Sequence, residues 1–464
     1  MLKRITTRRD IPAVTKVLDA LGEGASPVED SPWRARTDLP RPLIVDLVRR
    51  ELSKVRASDE VPDFESIIDV VRRSLEGLRA SRIQSVINGT GIVIHTNFGR
   101  APLSRETIRA LTETAAGYAN LEFDLTTGER GHRGGYIENA LAVLCGAEAA
   151  AVVNNCAAAL VLIVQHFIKT KPDVIVSRGE LVQIGGGFRI GEIIEAAGGT
   201  LREVGATNKT TLNDYTRAIR RDTAMILKVH RSNFFMSGFV ESPASAEIAA
   251  LARKKRVPFI EDLGSGAVVD SEQLGLAEHE PTPTDALRAG ADLICFSGDK
   301  LFGGPQAGII VGKKRFVSAL RREPLFRALR CDKLCLAALQ STVDLHLNHA
   351  LSEIPALALL QISKDELRSR AASIFSRLQG LPMRITIGRG KAKVGGGTLP
   401  HSIVSSITID ILAENAQEFA KTLRANNPSV VGYIADGSFK LDLRTIFPSQ
   451  DDLVVDAIRA ACTQ

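Results

Sequence analysis

The side chain with the clearest chemical potential is a lysine in a glycine-rich turn. Lys300 lies between two apolar runs, 293–296 and 309–311, and Gly303 and Gly304 follow it closely. A lysine in a tight turn between buried strands is poorly solvated, so it can present the neutral amine that forms a Schiff base with pyridoxal phosphate (PLP). The alternative is a strand–turn–strand whose lysine points to solvent, because short motifs often occur by chance.

A carboxylate upstream supports the PLP interpretation. The apolar run 257–260 ends in Glu261 and Asp262, and a glycine-containing turn follows. An aspartate at the end of a strand can pair with the pyridine nitrogen of PLP and keep it protonated, so that the ring accepts electrons. Asp262 precedes Lys300 by a few dozen residues, as expected for two neighbouring strands. An aspartate before glycine is also common as a turn residue, but the two signals together favour PLP.

The elements that must position these residues alternate between strand and helix from residue 149 to residue 311. This alternation predicts a mostly parallel sheet covered by helices on both faces, and ligands of such sheets lie at the carboxyl ends of the strands. Small residues at a predicted helix start leave backbone N–H groups free for a phosphate. The side chains and backbone expected at this edge belong to Asn155, Cys156, Ala157, Gln183, His230, Asn233, Asp262, Ser297 and Lys300.

Three arginines could form an anion clamp. Arg100 lies between glycine and alanine in a polar loop, and Arg327 and Arg330 have i, i+3 spacing in a predicted helix. Guanidinium groups suit phosphate-like anions. A basic surface helix is the alternative for Arg327 and Arg330.

Composition indicates a globular chain of several domains. The 464 residues are 44% hydrophobic and 24% charged, with a net charge of +6. No apolar run is long enough for a transmembrane helix, the first residues lack a signal core, and the six cysteines show no CxxC spacing. We therefore expect a cytoplasmic protein with reduced cysteines and no membrane association. The predicted domains are 1–88, helical; 89–340, the large domain; and 341–464, a smaller α+β domain.

The helical segment 1–88 carries recurrent positive charges on its polar faces. Such charges bind phosphate backbones, although a solvated helix face gives the same pattern. The residues concerned are Arg49, Arg50, Lys54, Arg56, Arg72, Arg73 and Arg79.

Several long motifs together resemble one family. The segments 88–103, 262–266 and 297–308, with 327–334 and 436–445, closely resemble bacterial selenocysteine synthase, the L-seryl-tRNA(Sec) selenium transferase family. The resemblance covers nearly the whole chain, including an N-terminal helical domain of the size that the family uses to hold tRNA.

This resemblance implies a fold, a reaction and an assembly. The fold is the α/β PLP-dependent transferase fold type I. The reaction converts L-seryl-tRNA(Sec) to L-selenocysteinyl-tRNA(Sec) with selenophosphate, through a PLP-bound dehydroalanyl intermediate, and the assembly is a ring of dimers, typically a homodecamer. Lys300 is implied as the catalytic residue. The implied cofactor-binding residues are Lys300, Asp262, Asn155, Cys156, Ala157, Gln183, Asn233 and Ser297, and the implied substrate-binding residues are Arg100, Arg327, Arg330 and Asp299.

The sequence departs from the family pattern at several positions. Gln183 stands where glutamate is expected, Gly191 where proline is usual, and Arg231 where a small residue is usual.

Two other functions compete with the one that the resemblance implies. One alternative is a related PLP lyase that acts on a free amino acid or a phosphorylated amino sugar acid; such relatives usually lack the N-terminal domain. The other is a non-catalytic tRNA-binding scaffold, which the intact Lys300 and Asp262 disfavour. For the group that protonates the leaving hydroxyl, His95 and His230 are both candidates.

Overall fold

The computed structural model describes residues 11–22, 39–58, 60–183 and 187–462. The chain divides into two compact units, Met1–Ser85 and Val86–Gln464. The division had been predicted at residue 88. It lies before Val86 because strand Val86–Asn88 pairs with a strand near the C-terminus.

The described part of the first unit is helical. Its helices are α1 (Val14–Ala20), α2 (Arg41–Ala57) and α3 (Phe64–Ala80). Apolar residues at i, i+4 spacing give α2 and α3 one buried stripe each, and Val48 and Leu52 of α2 join Val71 and Leu75 of α3 in a single core. Asp63 caps α3, since its side chain accepts a hydrogen bond from the Ser66 N–H at 2.8 Å.

The second unit contains every strand found in the described residues. The strands are β1 (Val86–Asn88), β2 (Ile92–Ile94), β3 (Ala149–Val153), β4 (Asp173–Ser177), β5 (Thr200–Val204), β6 (Thr223–Val229), β7 (Phe259–Gly264), β8 (Leu293–Ser297), β9 (Gly308–Gly312), β10 (Arg384–Gly395), β11 (Thr398–Leu412), β12 (Ser429–Val431), β13 (Tyr433–Ala435) and β14 (Ser438–Asp442).

Helices connect most of these strands. They are α4 (Arg105–Ala116), α5 (Gly135–Cys145), α6 (Cys156–Phe167), α7 (Ile190–Ala196), α8 (Leu212–Ala218), α9 (Ser245–Lys255), α10 (Pro283–Ala289), α11 (Lys314–Arg321), α12 (Pro324–Leu329), α13 (Lys333–Leu347), α14 (Pro355–Gln361), α15 (Lys364–Arg377), α16 (Ala416–Ala425) and α17 (Asp451–Cys462).

The larger sheet carries the predicted alternation. Its order, for the part of the chain that is described, is β3-β9-β8-β7-β6-β4-β5. Strands β4 to β8 pair in parallel, whereas β9 is antiparallel to both β3 and β8. Successive side chains enter different cores: Ile226 and Phe259 belong to one, and Leu227 and Ile260 to the other. Burial on both faces explains the continuous apolar runs of these strands, and the predicted α/β fold is confirmed.

The smaller sheet joins residues that are far apart in sequence. Its order among the described strands is β13-β14-β11-β10-β2, with β10 and β11 as a long antiparallel hairpin. Gly395, Gly396 and Gly397 turn this hairpin with φ values of +80°, +65° and +70°, which side chains rarely adopt. Strand β2 pairs in parallel with β10, and β1 with β12. Residues 86–94 therefore pack with the C-terminal part of the chain and not with the larger sheet.

Among the described residues, none of the helices combines the length and the apolar character that crossing a bilayer requires.

Candidate active site

A cavity of about 930 Å³ opens at the carboxyl ends of β6, β7 and β8, beside the start of α6. Parallel strands of an α/β sheet deliver their following loops to this edge, which is why the predicted residues meet here. Those that line the cavity are Arg100, Asn155, Cys156, Ala157, Asn233, Asp262, Ser297 and Lys300, together with His230.

Lys300 and Asp262 flank one glycine. Asp262 lies in β7, and Lys300 follows β8 in the glycine-rich turn. Gly264 has a φ of +64°, and a Cβ placed on it would lie 3.8 Å from Asp262 Oδ1 and 3.9 Å from Lys300 Nζ. The amine and the carboxylate therefore face a common space that the glycine leaves open.

Asp262 is a buried carboxylate beside a thiol. Its residue is 8% exposed, and Cys156 Sγ donates a hydrogen bond to Oδ1 at 3.5 Å. Burial raises the pKa of Asp262, and the positive charge of Lys300 opposes that rise. A buried carboxylate of this kind gains from a cationic partner such as a protonated ring nitrogen.

The start of α6 forms a cradle of backbone N–H groups. Asn155 is the N-cap, and its side chain accepts a hydrogen bond from the Ala158 N–H at 2.8 Å. The N–H groups of a first helical turn lack partners within the helix and favour an anion. Gly308 of β9 presses against this turn, since a Cβ on it would lie 2.1 Å from the Asn155 carbonyl oxygen.

Of the two predicted residues Asn233 and Gln183, only Asn233 places its side chain at the cavity. Asn233 lines the cavity, and its side-chain amide donates a hydrogen bond to the Gln183 carbonyl oxygen at 2.7 Å. Gln183 is exposed and does not line the cavity. The structure therefore links Gln183 to the site through its backbone. Of the other two departures, Gly191 lies in α7 and Arg231 lines a neighbouring cavity of about 520 Å³.

Arg100 and Asp299 form an ion pair at the cavity. Arg100 Nη1 lies 2.8 Å from Asp299 Oδ2, and Asp299 is 5% exposed. The other carboxylate oxygen of Asp299, Oδ1, is buried without a hydrogen-bond partner among the described residues. Arg100 has a φ of +67°, which is costly for a residue other than glycine and is often retained at functional sites.

Arg327 and Arg330 do not line this cavity. Arg327 lies in α12, and Arg330 follows α12 in extended backbone. Both line a third cavity, of about 520 Å³, and Arg330 Nη1 lies 3.4 Å from Glu122 Oε1. Within one chain, the predicted clamp is therefore divided between two cavities.

Only one of the two candidate histidines lines the Lys300 cavity, and it lies beside Glu280, which the sequence did not suggest. The His95 ring stacks on Phe98 at 3.8 Å, and its Nδ1 accepts a hydrogen bond from the Asn97 N–H. His230 instead lines the Lys300 cavity, and its Nδ1 lies 3.4 Å from Glu280 Oε1. Glu280 lies in a loop with no recognisable motif, so no sequence signal identifies it.

Cys156, Asp262 and Cys295 bring ligand-type atoms within 4.8 Å of one another. Metal ions bind cysteine as the thiolate. A hydrogen bond with Cys156, burial and the charge of Asp262 raise the pKa of Cys295 well above its ordinary value. A protonated Cys295 thiol beside the carboxylate is therefore favoured over a metal centre.

The donors and acceptors of the Lys300 cavity fit PLP. The cradle at α6 suits a phosphate, the buried Asp262 carboxylate suits a ring nitrogen, and Lys300 supplies the amine for covalent attachment. Ser297, which is 5% exposed, borders the same space.

Known proteins with similar sequences share one description. A family model described as L-seryl-tRNA selenium transferase matches residues 86–447. The L-seryl-tRNA(Sec) selenium transferase of Carboxydothermus hydrogenoformans is 43% identical over 423 residues, which are 89% of this chain and 90% of that protein. The protein of the same description from Geobacter sulfurreducens is 41% identical over 463 residues, covering 97% and 98% of the two chains.

A solved structure with a similar fold is that of D-glucosaminate-6-phosphate ammonia-lyase. The TM-score is 0.58 at 19% sequence identity, over 82% of this chain and 96% of that one. At this identity the similarity establishes the fold and not the reaction.

Proposed function

This chain belongs to the L-seryl-tRNA selenium transferase family, and we propose that it converts L-seryl-tRNA(Sec) to L-selenocysteinyl-tRNA(Sec) with selenophosphate as the selenium donor. The observation that carries the proposal is the meeting of Lys300 and Asp262 in one cavity. The fold shared with an ammonia-lyase does not favour a second function, because fold alone does not specify a reaction.

PLP is the proposed cofactor. When bound, PLP acts as an electron sink for a carbanion at the substrate Cα. The first turn of α6 would hold the phosphate through its N–H groups, and the Asp262 carboxylate would accept a hydrogen bond from the protonated ring nitrogen. Lys300 Nζ would attach the cofactor covalently and, when free, would take the Cα proton as the base.

The selenium donor is an anion, and arginines are proposed to bind it. Arg100 lies at the Lys300 cavity with Asp299 holding its guanidinium in place. Arg327 and Arg330 line a different cavity of the same chain. In the proposed homo-oligomer, a ring of dimers such as a decamer, a second copy of the chain would bring Arg327 and Arg330 to the Lys300 cavity.

The first unit is proposed to bind tRNA. Arg49 and Arg56 of α2 are exposed, whereas Arg50 lies 3.0 Å from Asp46 in an exposed ion pair. Reversing Arg49 and Arg56 to glutamate should weaken tRNA binding and reduce the slope of log affinity against log salt by about one for each lost phosphate contact. Arg368→Glu, in the second unit, is the control, and an unchanged slope in the double variant argues against tRNA binding by α2.

The cytoplasm is the proposed location. All six cysteines are free, which agrees with a reducing compartment.

The test of the reaction is single-turnover conversion of purified seryl-tRNA(Sec) with and without selenophosphate. Seryl-tRNA(Ser) and free serine are the matched substrates for comparison. Selenocysteinyl-tRNA formed from seryl-tRNA(Sec) only when selenophosphate is present supports the proposal. Turnover of free amino acids, with none of seryl-tRNA, would instead identify a lyase.

A further inference from the structure

Glu280 and His230 form a buried pair at the wall of the Lys300 cavity. His230 follows β6, and its backbone N–H donates to the Asp262 carbonyl oxygen at 2.8 Å. His230 Nδ1 lies 3.4 Å from Glu280 Oε1, and the Glu280 residue is 1% exposed. Both atoms are buried, and neither has a hydrogen-bond partner among the described residues. Two such groups facing each other can share a proton, which satisfies both.

The orientation of the imidazole assigns a role to each nitrogen. Because Nδ1 faces Glu280, Nε2 is the nitrogen left for a molecule in the cavity. A neutral imidazole that accepts a proton at Nδ1 can release one from Nε2, so it passes a proton along without becoming charged. Glu280 is the store of that proton, and His230 is the group that reaches the substrate.

We propose that Glu280 and His230 form a proton relay that protonates the serine hydroxyl as it leaves seryl-tRNA, an inference that rests on the function proposed above. Lys300 Nζ takes the Cα proton, and the electrons of that Cα–H bond become the Cα=Cβ bond as the Cβ–O bond breaks. The departing oxygen takes the proton of His230 Nε2 and leaves as water. His230 Nδ1 takes the Glu280 proton at the same time. Afterwards Nδ1 returns that proton to Glu280 as Nε2 takes one from solvent, which restores both groups.

Burial and the surrounding charges favour a proton on Glu280 over a proton shared as an imidazolium on His230. Burial raises the pKa of Glu280 to about 7, opposed by Ser265 and Lys300. Burial, together with nearby positive charges, lowers the pKa of His230 to about 4. The ionisable or charged groups that face the pair are Lys228, Arg231, His279, Glu278 and Lys300.

The pH dependence follows from these values. The relay requires protonated Glu280, so water elimination should slow as the pH rises through about 7. Removal of the Cα proton by Lys300 does not draw on Glu280 and should not fall over the same range. The two steps therefore separate with pH.

The experiment compares wild type with Glu280→Gln and with Glu272→Gln, an exposed carboxylate of the preceding segment. Exchange of the Cα hydrogen of seryl-tRNA(Sec) with solvent deuterium reports on Lys300, and single-turnover product formation reports on elimination. Glu280→Gln should retain Cα exchange, lose product formation by roughly 10²-fold or more, and lose the fall above pH 7. Glu272→Gln should match wild type in all three, and Glu280→Asp should recover part of the rate.

A second measurement does not depend on turnover. Infrared difference spectra of the cofactor-free chain should show one protonated carboxyl band that disappears as the pH rises through about 7 and is missing in Glu280→Gln. Burial also raises the pKa values of Glu138 and Glu180 to about 7, so the band is read from the wild-type minus Glu280→Gln difference, in which their contributions cancel. If this band is the same in both proteins, or if Glu280→Gln forms product at the wild-type rate with the wild-type pH profile, the relay is wrong and Lys300 itself becomes the candidate acid. Failure of wild type to convert seryl-tRNA(Sec) would instead contradict the proposed function, whereas the infrared result would still report on Glu280.

Discussion

Gly308 of the larger sheet packs against the first turn of α6, whose N–H groups are proposed to bind the phosphate. Replacing Gly308 with alanine tests whether this contact sets the position of the turn. Gly308 begins β9 and pairs with Val153 and Ser297 in the neighbouring strands. A Cβ at this position would lie 2.1 Å from the Asn155 oxygen, 2.4 Å from its carbonyl carbon and 3.0 Å from the Cys156 nitrogen. These are backbone atoms of the turn that starts α6, so no side chain can rotate to relieve the contact.

The expected effect of Gly308→Ala follows from the distance between the added Cβ and the Asn155 oxygen. Restoring an ordinary contact of 3.4 Å from 2.1 Å requires a displacement of about 1.3 Å at the Asn155 oxygen. Forced displacement of a packed backbone costs about 1–3 kcal/mol. If the turn moves, the cost falls on phosphate binding, which corresponds to a rise in the PLP dissociation constant of about 5- to 140-fold.

The assay is titration of the cofactor-free protein with PLP, followed by visible absorbance, with thermal unfolding measured alongside. Gly117→Ala is the matched control because a Cβ at Gly117 would meet nothing within 4 Å and its φ is −141°. We expect the control to bind PLP like wild type. A Gly308→Ala protein that binds PLP with wild-type affinity would refute the argument that β9 sets the position of the cradle.

Three further outcomes are expected. Lys300→Ala should gain no cofactor mass after borohydride reduction and should lose conversion by at least about 10²-fold; cofactor mass on the variant would remove Lys300 from its proposed role. Arg100→Ala leaves the buried Asp299 carboxylate without its partner, so the free energy of unfolding measured with denaturant should fall by about 1–3 kcal/mol. Adding Asp299→Asn should restore part of that stability, and an unchanged free energy of unfolding in Arg100→Ala would contradict the importance of the pair. Burial raises the pKa of Glu180 from 4.5 to about 7, so wild-type stability falls as the pH rises from about 4.5 to 7. Glu180→Gln should therefore be more stable than wild type at pH 8, by as much as about 3 kcal/mol, and the gain should be smaller at pH 5. Equal differences in melting temperature between the two proteins at both pH values would contradict this.

Local chemistry made much of the site predictable. Asp262 ends an apolar run and Lys300 follows one, with glycines close by in both cases, and this pattern depends only on neighbouring residues. The α6 cradle was predictable for the same reason, because a helix start after a strand is a local feature marked by Asn155 and small residues. The parallel sheet followed from its continuous apolar runs.

Other features depend on contacts between distant segments. The pairing of residues 86–94 with strands near the C-terminus is long-range, and the apolar runs concerned look the same wherever they pair. Glu280 lies fifty positions after His230, and nothing near either residue indicates their contact.

The sequence by itself therefore determined the fold class and the presence of a lysine, a carboxylate and a helix start at one edge of the sheet, because each depends on residues adjacent along the chain. Only the tertiary structure decided which histidine lines the Lys300 cavity, that Glu280 lies beside it, and that Arg327 and Arg330 line a different cavity from Arg100. The physical reason is that a side chain's partners are set by how the sheets and helices pack, and packing brings together residues whose separation in sequence carries no local signal.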